Sequence, residues 1–115
     1  GDGLVKSVGL CRASMAAAMA GERIGNEIKS GTVRPIFQKF GSTIDEIFGD
    51  LPDLCAIYGT EARNYPTGAV GVFSYLRKIS FGIAHFSTLN RKFNLSLLNR
   101  SDLIPLTTDA QQLLK

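Results

Sequence analysis

The sequence predicts an all-α fold, a compact bundle of about five or six helices, several of them short, in a single helical domain over residues 1–115. Three observations predict it. Apolar residues recur at three- and four-residue spacing and not at alternate positions. Single glycines and prolines stand at the ends of those periodic segments. The chain has 115 residues, 44% of them hydrophobic and 20% charged. That is too apolar for a disordered tail, and its charges interrupt any run long enough to span a bilayer. A domain of this length buries roughly 65% of its unfolded surface, enough for a modest core.

Leu4, Val8, Cys11, Met15 and Ala18 share one helical face, so residues 4–20 read as a helix rich in alanine. Residues 22–30 continue as a helical stretch through Ile24 and Ile28 and stop at Gly31. Gly21 and Gly25 weaken the join, each costing roughly 1 kcal/mol against Ala, so one helix and two are equal readings. Thr32 is the expected cap of a short helix holding Pro35, Ile36, Phe37 and Phe40, ended by Gly41. Thr43-Ile44-Asp45-Glu46 is a capping-box pattern that opens a helix stopping at Gly49. Asp50 to Asp53 lead into a further short segment, Leu54 to Tyr58, before Gly59, and Tyr65-Pro66-Thr67-Gly68 is turn chemistry.

The strongest periodicity lies near 69–89, where a long amphipathic helix is expected. Ala69, Val72, Phe73, Leu76, Ile79, Ile83 and Phe86 form one stripe, continued less regularly by Phe93 and Leu97. Ser101-Asp102 and Pro105 mark a break, and Thr108 is the expected cap of a last turn.

Two patterns stand above this background. Gly9, Ala13, Ala17, Gly21 and Gly25 recur at every fourth position, a ridge of small residues that lets another backbone come close. Either the ridge receives large side chains of the Val72–Phe86 helix, or it meets another chain. The second pattern is charge segregation. Between Phe40 and Glu61 lie Asp45, Glu46, Asp50, Asp53 and Glu61 with no Lys or Arg; from Ala62 to Ser101 lie six cations with no Asp or Glu. On a helix, Arg77 and Lys78 straddle the face opposite the apolar stripe, joined there by Phe81, and Arg91 and Lys92 return to similar angles. These five residues form an expected basic docking face, unless the acidic 45–61 region folds against them and neutralises both.

Catalytic patterns are missing. His85 is the single histidine, and no motif flanks Cys11 or Cys55 to suggest a Cys–His dyad. Asp45 and Glu46 are adjacent, so on a helix they diverge and make a poor acid–base pair. There is no Gly-rich phosphate loop, no CxxC and no calcium-loop spacing, and no cofactor or metal is expected. Cys11 and Cys55 are an even pair whose bonding the sequence leaves open, and Asn94-Leu95-Ser96 and Asn99-Arg100-Ser101 are sequons. The chain opens on Gly1, not Met, and reads as processed or excised, with a secretory or organellar route among the expectations.

The function expected is that of a non-catalytic helical interaction protein, a small subunit or accessory component of a larger assembly that binds protein partners or itself. A module binding RNA, DNA or an anionic membrane surface through residues 77–92 is the alternative, and a secreted membrane-active protein is the third. No small-molecule substrate is implied.

Overall fold

A computed structural model describes residues 7–115. Among them the fold is all-α, with six α-helices and no strand: α1 (Arg12–Ser30), α2 (Pro35–Gln38), α3 (Ile44–Ile47), α4 (Leu51–Tyr58), α5 (Thr67–Leu89) and α6 (Thr108–Leu114). Short 3₁₀ turns occupy Thr60–Asn64, Leu95–Leu97 and Arg100–Asp102. The chain groups into two units, Leu10–Lys78, and Ile79–Lys115 with residues 7–9. The boundary falls within α5.

In the Leu10–Lys78 unit, the stretches 4–20 and 22–30 merge into the single helix α1, which starts only at Arg12. Leu4 lies outside the described residues, and Val8 and Gly9 precede the helix. Gly31 ends α1 in the left-handed region at φ 71°, with its N–H donating to the Ile28 carbonyl and the Thr32 N–H to the Glu27 carbonyl. Glycine takes that conformation without steric cost. Thr32 is therefore occupied by the end of α1 and does not cap α2. Arg34 precedes that helix, and Pro35 fills its first position, where no N–H is needed. The capping box of α3 is complete. The Glu46 N–H donates to Thr43 Oγ1, while Glu46 Oε2 accepts from the Ser42 and Thr43 N–H groups at 2.9 and 3.1 Å.

The core of this unit is Phe48, Leu51, Leu54, Ala62 and Val70, with Ile24, Ile28, Ile44, Cys55 and Phe73 packed against it. The face that α5 turns to this core carries Val70 and Phe73, which corrects the expected stripe. Ala69 and Leu76 are exposed instead. Two attachments rotate the helix this way. Gly68 and Gly71 pack against α1, and Arg77 reaches the carboxylates of Asp50 and Asp53 at the start of α4.

In the Ile79–Lys115 unit, α5 ends two residues before Arg91, which stands at φ 55°. The Arg91 N–H donates to the Thr88 carbonyl and the Lys92 N–H to the Ser87 carbonyl, the double bond of a left-handed helix stop. The stripe expected to run on through Phe93 and Leu97 is broken there. Asn94 and Asn99 each accept, through the side-chain oxygen, from the N–H and hydroxyl of the serine two residues on. Both sequons thus fold as Asx turns. Lys92 Nζ donates to Asp102 Oδ2 at 2.6 Å, and the Asn99 N–H donates to the same oxygen at 2.8 Å. Thr107, one residue earlier than expected, caps α6 by accepting from the Ala110 N–H.

Candidate protein-interaction surface

The small-residue ridge does make a helix contact, but within the Leu10–Lys78 unit. Gly21 and Gly25 are buried. A Cβ placed on Gly21 would lie 2.5 Å from the Thr67 carbonyl oxygen and 3.2 Å from the Cα atoms of Gly68 and Gly71. One placed on Gly25 would strike the Thr67 side chain. The ridge therefore receives the small start of α5, not the large side chains of Val72–Phe86, because the two backbones touch directly. Ala17 belongs to the same contact through its carbonyl, which lies 2.6 Å from where a Gly71 Cβ would stand. Ala13 is exposed, and Gly9, outside the helix, has nothing within 4 Å of where a Cβ would stand. Neither has a part in the crossing, and the buried members of the ridge are closed to another chain.

The basic face divides in a similar way. Arg77 pairs with Asp53 and, at 3.5 Å, with Asp50, and its guanidinium lies 5.9 Å from the Phe73 ring centre. Arg63 pairs with Asp45 at 2.5 Å. Acidic residues of 45–61 thus fold against the cations at and before α5. Lys92 is half-buried on Asp102. The Lys92 ammonium and the Asn99 N–H together hold the Asp102 carboxyl below its ordinary pKa. Lys78, Phe81 and Arg91 are exposed. Arg77 and Lys92 are therefore not open cations, as the sequence reading had them.

The larger feature is apolar. Every buried hydrophobic residue described lies in Leu10–Lys78, and none in Ile79–Lys115. In the latter, Phe86 is 69% exposed, Phe93 84%, Ile104 83% and Leu106 91%. On the last turns of α5, Ile83, Phe86 and Leu89 recur at three-residue spacing on one exposed face. The side away from Phe86 carries Phe81, Ala84 and Thr88, all exposed, while Ser87, beside Ile83, is buried, its hydroxyl bonded to the Ile83 carbonyl. No charged residue occurs from Ile79 to Asn90, while Arg77-Lys78 precede that run and Arg91-Lys92 follow it. That charge-free run was the sequence signal for this surface; periodicity placed Ile83 and Phe86 on one stripe without showing that the stripe stays open there.

Other chemistry is sparse. Cys11 is exposed and Cys55 half-buried, both as free thiols. His85 is exposed on α5. Among the described residues no group of His, Cys, Asp and Glu is placed to hold a metal, and no helix is long and apolar enough to cross a membrane. No family model, no curated protein and no solved structure matches this chain.

Proposed function

We propose that this chain is a non-catalytic helical interaction protein, a small subunit or accessory component of a larger protein assembly. One observation carries the reading: among the described residues, Ile79–Lys115 exposes most of its large apolar side chains, leaves Ile79, Leu98 and Leu114 half-buried, and fully buries none of them. With about 150–250 Å² for each aromatic side chain, such a segment offers on the order of 1,000 Å² of apolar surface summed over all its faces. The largest apolar patch on a typical monomer is about 300–600 Å², whereas one side of a standard protein interface buries about 800 Å². A segment of this kind gains its hydrophobic stabilisation on contact with another molecule.

The proposal is tested on the chain purified gently from its source, by light scattering at low and high salt. The expected result is a particle heavier than the lone chain at both salts, with Phe86→Ser and Phe93→Ser releasing the free chain. A lone chain at both salts would overturn the reading. Anion binding through residues 77–92 has less support, because Arg77 and Lys92 are already held by carboxylates.

A further inference from the structure

We infer that Ile79–Lys115 is a conformational unit of its own: in the free chain it opens, losing the helix from Ile79 onward, while Leu10–Lys78 stays folded, and it closes in the assembly. The closing rests on the assembly reading above; the opening does not.

The residues of α5 do not hold it helical by themselves. Thr67–Leu89 contains Gly68, Gly71 and Gly82, and most other positions carry Thr, Val, Ile, Phe, Ser, Tyr or His. All are weaker helix formers than Ala, Leu, Arg or Lys. A helix of this composition stands mainly by packing one of its faces.

That packing is strong in the first half. Val70 is buried, Phe73 lies against the core, Gly71 meets the α1 backbone, and Arg77 holds the carboxylates of Asp50 and Asp53. From Ile79 to Leu89 no large apolar side chain is fully buried, and Phe81, Ile83, Phe86 and Leu89 are exposed. The Ser87 and Thr88 hydroxyls and the Asn90 amide donate to carbonyls four residues earlier, so these bonds tie the last turns to themselves. The anchored half supplies a helical nucleus, which removes the cost of starting a helix. Each residue beyond Lys78 then holds largely by its own propensity, which is weakest at Gly82.

Beyond α5 the ties are local as well. Lys92 meets Asp102, Asn94 and Asn99 bond to serines two residues on, and α6 has seven residues, fewer than a lone helix needs in water. Regions with few buried apolar contacts open at a small fraction of the global free energy. A partner that covers Phe86 and Phe93 binds the closed form and shifts the equilibrium toward it.

Hydrogen exchange of the full chain, expressed alone and in the purified assembly, tests this. In the free chain the amides of 83–89 should be protected about 100-fold less, or lower still, than those of 72–78 in the same helix. Low urea should change exchange at 83–89 little, since opening uncovers little apolar surface that was not already exposed. Gly82→Ala should slow exchange at 83–89 about five-fold and leave 72–78 unchanged. Gly71→Ala should act in reverse, speeding exchange at 72–78 about five-fold or more and leaving 83–89 unchanged. In the assembly the amides of 83–89 should be slowed about 100-fold or more.

Equal protection along the whole of α5 in the free chain would overturn the opening and leave the assembly reading standing. A step in protection after Lys78 that persists in a heavier particle would overturn the closing and put the partner elsewhere on the chain. A lone chain at both salts that keeps the step would overturn the assembly reading and, with it, the closing, while the opening would stand.

Discussion

Gly71 of α5 lies against Gly21 of α1 so closely that a Cβ on Gly71 would stand 3.2 Å from Gly21 Cα and 2.6 Å from the Ala17 carbonyl oxygen. The atoms in the way are backbone, so no rotamer change relieves the overlap. Glycine in a helix interior ordinarily costs about 1 kcal/mol against alanine, which sets the sign of the normal effect. Gly71→Ala should reverse that sign and destabilise the Leu10–Lys78 unit by about 1–3 kcal/mol, as overpacking does. Gly82, in the same helix, has nothing within 4 Å of where a Cβ would stand. Gly82→Ala should therefore gain up to about 1 kcal/mol. Thermal melts of the two variants check the contrast, and equal shifts would refute the close crossing.

Arg77 ties α5 to α4 through Asp53 and Asp50. The groups are partly exposed, so a double-mutant cycle of Arg77→Ala and Asp53→Ala should give a coupling of about 0.2–1 kcal/mol, shrinking with added salt. Urea melts at two salt concentrations measure it. A coupling that salt leaves unchanged would mean that the Arg77 contribution is the packing of its stem and its contact with the Phe73 ring.

Folding should weaken in acid through two carboxyls. The Ser42 and Thr43 N–H groups hold the Glu46 carboxyl below its ordinary pKa, as Lys92 and the Asn99 N–H do for Asp102. A folded pKa below the unfolded one gives stability that is full above the unfolded value and is lost as pH falls through the folded value. The loss therefore begins as pH falls into the ordinary carboxylate range, near pH 4, and continues until it passes the lower folded values. Glu46→Gln should flatten the acid side of a melting-temperature profile and leave the neutral side parallel to the parent. A variant profile as steep as the parent's would count against the capping box.

Much of this fold is legible in the residues. Thr43 and Glu46 announce α3 because a capping box is local chemistry, readable wherever the four residues stand. The segregated charges foretell Arg77 and Arg63 meeting the acidic 45–61 region, since opposite charges of a small domain find each other. The start of α1 was less legible, because the face through Leu4 and Val8 looks helical whether or not anything packs there. Periodicity gave only part of the covered side of α5, since Phe73 of the expected stripe packs on the core while Ala69 and Leu76 are exposed. It shows which residues share a face, and the Gly71 crossing with Arg77's reach to α4 decides which face is covered. The exposed surface around Phe86 was hidden for the same reason, as an apolar stripe reads alike whether its partner is inside the chain or outside it.

That ambiguity can be resolved by comparing two apolar positions. Leu54 is 4% exposed in the core, while Phe93 is open to solvent. Leu54→Ala should cost about 2–5 kcal/mol through lost burial and the cavity left behind. Phe93→Ala removes more apolar surface yet should shift stability by no more than about 0.5 kcal/mol, because its ring has left little water on folding. In the assembled state the order should invert, with Phe93→Ala releasing the chain and Leu54→Ala leaving association intact until it unfolds. Urea melts of the free chain with light scattering of the purified assembly give both readings. A large loss of stability in Phe93→Ala would show that its ring supports the fold of Ile79–Lys115 and is not a contact for a partner.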